Sequence, residues 1–165
     1  ESSYFIVDIM LQNQFIDDDK VADAVKAAVK LGTDTSTQHG YGNERGVGEG
    51  VRTCGVPRKE LFVVSKVAAE HKTYEEAKAG IDETLKKMGL DYLDMMIIHS
   101  PQPWIQVNQS DDRCIEGNRA AWKALEDAYK EGKLKAIGIS NFQIEDIENL
   151  LQTAEIKPMV NQGHC

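Results

Sequence analysis

Short apolar runs alternate along the chain with longer amphipathic segments. The runs are rich in valine, isoleucine, leucine and methionine, the composition of buried strands. Regular alternation of strands and helices predicts a parallel sheet with the helices packed outside it. The predicted strands are residues 3–10 (SYFIVDIM), 61–66 (LFVVSK), 94–99 (DMMIIH), 134–140 (LKAIGIS) and 158–162 (PMVNQ).

Helical periodicity marks the segments between these runs. In residues 21–32 one helical face carries Val21, Val25, Ala28 and Val29. Acids precede the segment, and Gly32 suits its end. Thr73 and Glu76 have the spacing of a capping box, and the apolar stripe behind them continues to Gly89. Two later helices are predicted, one with Trp122, Leu125 and Tyr129 on a single face and one over 143–151 with Asn141 as its cap.

Three glycines interrupt the segment 42–57. Gly46, Gly48 and Gly50 each weaken a helix by about 1 kcal/mol relative to alanine, so a helix is only weakly predicted here. A dinucleotide-binding loop needs a third glycine at position 51, where the chain has valine, and no strand precedes the segment. We interpret the glycines as packing positions.

Composition limits the classes of function. The net charge of −8 and the isoelectric point near 5.0 argue against a nucleic-acid-binding protein. No run reaches the length of a membrane span, and residues 1–10 lack the features of a signal peptide. Three widely spaced cysteines predict neither a disulfide framework nor a metal site. We expect one cytoplasmic domain over residues 1–165, while the oligomeric state is not predicted.

Polar residues stand at the ends of four successive predicted strands. Lys66, His99, Ser140 with Asn141, and Gln162 each follow an apolar run. The carboxyl ends of parallel strands gather on one face, where barrels and open α/β sheets place their active sites. The pattern therefore predicts an active site on this face, in either an open doubly wound sheet or a (β/α)8 barrel.

Several motifs in order resemble the aldo-keto reductase family: DT…YGNE (34–44), GVPRKELFVVSK (55–66), ETLKKMGLDYLDMMIIHSP (83–101), GKLKAIGISNF (132–142) and KPMVNQ (157–162). The resemblance implies a (β/α)8 TIM barrel that binds NADPH and reduces an aldehyde, ketone or sugar carbonyl to an alcohol. It implies a small carbonyl substrate and no metal.

The resemblance also implies a role for individual residues. Tyr41 corresponds to the proton donor, Lys66 to its activating partner, Asp34 to the acid paired with Lys66, and His99 to the imidazole that orients the carbonyl. The residues that correspond to the nicotinamide carboxamide site are Ser140, Asn141 and Gln162, and Trp104 is a candidate wall of the substrate site.

The chemistry agrees with these residue types. A phenol has an ordinary pKa of about 10 and is a poor acid near neutral pH. A neighbouring ammonium favours the phenolate and so lowers that pKa. A histidine that hydrogen-bonds to the carbonyl oxygen stabilises the negative charge that develops there.

Two features depart from the family pattern. Only Thr33 separates Gly32 from Asp34, where the family has a strand, and Asp34 lies two residues further from Tyr41 than usual. After Gln162 the chain reads Gly-His-Cys, where two more βα units are expected. We therefore expect an incomplete barrel of about six βα units, from a truncated chain or one with residues missing near 32–34 and 162–165.

Alternatives to this function remain open. One is a non-catalytic relative that binds the nucleotide without turnover. Another is a barrel lyase that uses Lys66 as a Schiff-base amine. A narrower alternative is that Asp34 only caps its loop. The choice between NADPH and NADH and the carbonyl substrate itself are not predicted.

Overall fold

The structure of the protein, a computed structural model, describes residues 16–31, 35–36, 42–107 and 109–163. Its strands are β1 (Thr35–Ser36), β2 (Val63–Val67), β3 (Met95–Ile98), β4 (Ile137–Ser140) and β5 (Asn161–Gln162). Its α-helices are α1 (Val21–Leu31), α2 (Glu44–Thr53), α3 (Tyr74–Met88), α4 (Ile115–Lys130) and α5 (Ile144–Leu151), with a 3₁₀ turn at Arg58–Glu60.

The sheet has its strands in sequence order. All four neighbouring pairs, from β1–β2 to β4–β5, are parallel. A doubly wound sheet reverses its strand order at a switch point, whereas a barrel adds each strand beside the preceding one. Across the described strands the order never reverses, which favours the barrel over the open sheet.

The helices cover one face of the sheet. Val63, Ser65 and Val67 of β2 are buried, while Val64 and Lys66 on the opposite face are half-buried. The main apolar core includes Val63 and Val67 together with side chains of α3 and α4, among them Ile81, Met88, Trp122 and Leu125. Strand alternation therefore directs Lys66 away from the helix layer.

The helix α3 begins and ends as its sequence predicts. The Thr73 hydroxyl accepts a hydrogen bond from the Glu76 amide, and the Glu76 carboxylate accepts one from the Thr73 amide, both at 3.2 Å. At the other end Gly89 has a φ of 62°, a left-handed conformation that glycine adopts without steric cost. The capping-box prediction is confirmed.

The helix α2 forms despite its three glycines. A β-carbon at Gly46 would overlap the carbonyl oxygen of Asp18, and one at Gly48 would overlap the backbone of Met88. At Gly50 it would lie 2.6 Å from the β-carbon of Val25. The glycines allow α2 to lie against α1 and the end of α3, so the close packing of helices outweighs their low helix propensity.

One sequence prediction needs correction and another lies outside the described residues. Gln143, not Asn141, is the N-cap residue of α5. Thr35 and Ser36, which directly follow Asp34 in the sequence, pair with Val63 and Val64 of β2 and form β1. The candidate strand at residues 3–10 is not among the described residues.

Candidate active site

Lys66 and His99 occupy adjacent strand ends. In the register of β2 and β3, Lys66 pairs with Ile97 and Val67 with Ile98. The amide of His99 then donates a hydrogen bond to the carbonyl oxygen of Val67 at 3.1 Å. Neighbouring strands lie about 4.8 Å apart, so the backbone holds these two polar residues on the same edge of the sheet.

The Lys66 side chain is half-buried. Removal from water lowers the pKa of its ammonium below the ordinary value of 10.5, because a low-dielectric environment disfavours the charged form. A desolvated ammonium of this kind interacts strongly with an anion placed beside it. Lys66 is thus suited to stabilise negative charge that forms at this edge of the sheet.

His99 is in contact with Trp104. Their ring centroids are 4.7 Å apart and the ring planes make an angle of 82°, an edge-to-face arrangement. Trp104 is 42% exposed, which is high for a tryptophan. The indole therefore borders the imidazole at an exposed position, and its place at a substrate site stays a prediction.

Ser140, Asn141 and Gln162 form a hydrogen-bonded group at the ends of β4 and β5. The Ser140 hydroxyl donates to the backbone carbonyl oxygen of Gln162 at 2.8 Å, and the backbone N–H of Asn141 donates to the same oxygen at 3.0 Å. The Asn141 side-chain nitrogen donates to the His99 carbonyl oxygen at 3.0 Å and to the Ser140 hydroxyl at 3.1 Å. The group is thereby joined to His99.

Asn141 has a left-handed backbone with a φ of 62°. Asparagine tolerates this conformation better than most residues other than glycine. The turn directs the side chain back toward β3, which explains why Asn141 does not cap α5. The Asn141 side-chain nitrogen donates to the His99 carbonyl oxygen and to the Ser140 hydroxyl. The side-chain oxygen is therefore the atom that can accept a further hydrogen bond.

The predicted residues Asp34 and Tyr41 lie outside the described residues, so their roles stay predictions. The elements around them are described. Thr35 pairs with Val63 of β2, the strand that contains Lys66. Asn43 is buried, and its side-chain nitrogen donates to the Ile16 carbonyl oxygen at 3.3 Å. Glu44, 1% exposed, accepts a hydrogen bond from the Thr84 hydroxyl at 2.7 Å.

A second polar group, which the sequence did not reveal, binds the backbone of the residue that follows His99. Lys72 of the β2–α3 loop donates to the Ser100 carbonyl oxygen and to the Asn118 side-chain oxygen, both at 2.8 Å. Lys72 and Asn118 are 46 residues apart. Neither residue belongs to a recognisable motif, and no sequence spacing signals their contact.

Two kinds of feature, a cluster of metal-binding side chains and a membrane-spanning helix, were sought among the residues that the structure describes. Within residues 16–31, 42–107 and 109–163, no group of three or more histidine, cysteine, aspartate or glutamate side chains is arranged to hold a metal ion. No helix among these residues is long and apolar enough to cross a bilayer. Cys54 and Cys114 are free thiols.

The sequence profile described as "Aldo/keto reductase family" matches residues 9–165, nearly the whole chain. The chain belongs to the aldo/keto reductase family. The resemblance seen in the motifs is thus confirmed.

Curated relatives of this aldo/keto reductase chain are named as reductases or, in one case, as an oxidoreductase. It is 46% identical to the uncharacterized oxidoreductase YtbE of Bacillus subtilis over 149 residues, which is 87% of the chain and 49% of the relative. It is 44% identical to glyoxal reductase of the same organism over 144 residues, 87% of the chain and 48% of the relative. A Schizosaccharomyces pombe NAD/NADP-dependent indole-3-acetaldehyde reductase is 39% identical, over 86% of the chain and 47% of the relative.

Solved structures of aldo/keto reductases share the fold. The Brucella melitensis aldo/keto reductase superposes with a TM-score of 0.81 at 32% identity, over 92% of this chain and 56% of that one. The Bombyx mori enzyme AKR2E4, solved with NADP, has a TM-score of 0.75 at 28% identity, over 94% and 51% of the two chains. The prediction of an incomplete (β/α)8 barrel is confirmed. The chain spans about half the length of the curated relatives it matches.

Proposed function

We propose that this aldo/keto reductase reduces the carbonyl of a small aldehyde, ketone or sugar, with NADPH as the hydride source and Tyr41 as the proton donor. The observation that carries the proposal is the position of Lys66 and His99 in register at the ends of β2 and β3. Relatives named for the reduction of glyoxal and of indole-3-acetaldehyde support the substrate class.

Lys66 makes Tyr41 a usable acid in this proposal. The desolvated ammonium favours the phenolate that Tyr41 leaves behind when it gives up its proton. The role that the proposal gives to Asp34 is to keep the Lys66 amine protonated and oriented. His99 hydrogen-bonds to the carbonyl oxygen and stabilises the charge that develops on it.

The strand ends of β4 and β5 suit a nicotinamide. The Asn141 side-chain oxygen can accept a hydrogen bond, and polar groups of Ser140 and Gln162 are its neighbours. Together these groups fit the donors and the acceptor of a carboxamide. The reduced nicotinamide supplies a hydride when it is bound. Because the Asn141 side chain also bonds to the His99 backbone, the same group fixes the cofactor site relative to the histidine.

Trp104 provides a wall of the substrate site. Its contact with His99 places an apolar surface next to the imidazole that holds the carbonyl. The indole excludes water from one side of that imidazole, which strengthens the hydrogen bond from His99 to the carbonyl oxygen. We assign Trp104 to substrate orientation and no proton transfer.

Oxidation of NADPH by the full-length protein tests the proposal. The panel contains glyoxal, an aromatic aldehyde, a ketone and an aldose, and each is also tested with NADH to establish the cofactor preference. Tyr41→Phe removes only the phenol hydroxyl. Its kcat is expected to fall at least about 100-fold, the lower range for general acid catalysis, with unchanged affinity for NADPH.

Tyr129→Phe on α4 is the matched control and should retain full activity. Full activity of Tyr41→Phe would show that the assigned proton donor is wrong. NADPH binding without turnover of any carbonyl would favour the non-catalytic relative. Trapping of a substrate on Lys66 by borohydride would favour the lyase.

A further inference from the structure

The loop after β2 contacts the loop after β3 at two points. Lys72 donates a hydrogen bond from Nζ to the Ser100 carbonyl oxygen at 2.8 Å. Two residues earlier, the Glu70 carboxylate accepts a hydrogen bond from the Trp104 amide at 3.4 Å. The segment that follows the Lys66 strand thus supports the segment that carries Trp104.

Asn118 completes the support from the side of α4. It is 4% exposed, and its side-chain oxygen accepts from Lys72 at 2.8 Å. Its side-chain nitrogen donates to the carbonyl oxygens of Pro101 and Arg113, both at 3.0 Å. Lys72 and Asn118 therefore bind the first two carbonyl groups after His99.

The rest of the β3–α4 loop is closed by a separate set of contacts. The buried Gln102 donates to the carbonyl oxygens of Ser110 and Asp112 at 2.8 and 2.7 Å, and accepts from Arg113 at 3.0 Å. Arg113 pairs in turn with the buried Asp146 of α5. These contacts shape the loop at a distance from His99, whereas Lys72 and Asn118 act where the loop leaves the strand.

We propose that Lys72 and Asn118 are positioning residues for carbonyl reduction, holding Ser100 and Pro101 so that His99 keeps its edge-to-face contact with Trp104 and its orientation toward the substrate. This inference rests on the proposed function. Lysine suits the position because its three donors can serve two acceptor oxygens at once. Buried carbonyl groups without donors are costly, so the loop shifts when either residue is removed.

Kinetics of the full-length protein give the first test. Lys72→Met keeps the aliphatic stem and removes the donors, and Asn118→Leu removes both hydrogen-bonding functions. For both variants we expect kcat to fall about 10-fold or more, because small displacements of an orienting group are costly, with NADPH affinity within about twofold. Lys72→Gln keeps an NH2 group with two donors on a shorter side chain and should recover part of the loss.

Lys78→Met is the matched control. Lys78 is an α3 lysine whose side chain is 44% exposed and pairs with Asp82. Its replacement should leave kcat and KM unchanged. If Lys72→Met and Asn118→Leu behave like Lys78→Met, the proposal is overturned.

Fluorine NMR of protein labelled with 5-fluorotryptophan provides a readout independent of turnover. The Trp104 and Trp122 resonances are assigned with Trp104→Phe and Trp122→Phe. In Lys72→Met we expect the Trp104 resonance to move, because the edge-to-face contact between the indole and the His99 imidazole changes. The resonance of Trp122, in the helix core, should stay in place.

The two readouts separate the possible failures. A displaced Trp104 resonance with unchanged kcat would contradict the positioning role, because the hydrogen bonds of Lys72 would then be only structural. An inactive wild-type protein would remove the proposed function, while the resonance would still decide whether Lys72 holds the contact between His99 and Trp104. If Lys72→Met does not fold, kcat and the Trp104 resonance are measured instead in Lys72→Gln and Asn118→Asp.

Discussion

The imidazole of His99 and the indole of Trp104 meet edge to face, with ring centroids 4.7 Å apart. One ring follows a strand of the barrel and the other lies five residues later in an exposed loop. Their contact joins a rigid part of the fold to a part that loop sequence can vary. In barrel enzymes the strand ends commonly carry the chemistry and the loops the substrate specificity, and the roles proposed for the two rings follow that division.

Replacement of Trp104 should impair substrate orientation. An edge-to-face aromatic pair contributes about 0.5–1.5 kcal/mol beyond its buried area, so Trp104→Ala should lower kcat/KM by about 2- to 10-fold. Trp104→Phe, which keeps an aromatic edge, should lose less. Steady-state kinetics on the best carbonyl of the panel measures both.

Ile105→Ala controls for a general disturbance of the loop. Ile105 is the next residue and is 82% exposed, so its replacement should have little effect on kcat/KM. Equal losses in Ile105→Ala and Trp104→Ala would contradict a specific role for the indole.

Lys72 should make the stability of the fold depend on pH in the alkaline range. Burial lowers the pKa of its ammonium from 10.5 to about 8, against the opposing effect of the nearby Cys114, Glu70 and Asp146. Between these two values the unfolded chain binds more protons than the folded one, so the free energy of unfolding gained from Lys72 rises with pH. The contribution is fully present above pH 10.5 and is lost as the pH falls through about 8.

Urea unfolding from pH 7.5 to 10.5 checks this dependence. The quantity to compare is the difference in free energy of unfolding between wild type and Lys72→Met, since other lysines titrate in the same range. That difference should shift in favour of wild type as the pH rises. A difference that is constant with pH would show that Lys72 titrates normally.

Gly48 should tolerate no side chain. A β-carbon there would overlap the backbone of Met88, so Gly48→Ala must move α2 away from the end of α3. We expect a loss of about 1–3 kcal/mol in the free energy of unfolding, the usual cost of overpacking. Gly163→Ala is the control, because a β-carbon at Gly163 would meet no atom within 4 Å. Chemical denaturation of the two variants gives the comparison.

Local sequence signals predicted much of the scaffold. The capping box at Thr73, the left-handed Gly89 and the strands around Val63–Val67 and Met95–Ile98 each depend on neighbouring residues. The order of motifs likewise indicated the family, and the polar residues at strand ends indicated the site. These features were predictable because capping, periodicity and strand alternation are short-range properties.

Other features depend on contacts between distant segments. Glycines that disfavour a helix are accommodated in α2 because α1 and α3 pack closely against it. The orientation of Asn141 toward the His99 carbonyl, 42 residues away, overrode its expected use as a cap.

The sequence by itself determined the described helices other than α2, most strands, the family and the residue types available for chemistry. Only the tertiary structure decided which polar side chains support His99, because Lys72 and Asn118 meet through the packing of the β2–α3 loop on α4. A hydrogen bond between residues 46 positions apart in the sequence depends on the relative placement of whole elements. That placement is set by the summed packing of the core and leaves no local pattern in the chain.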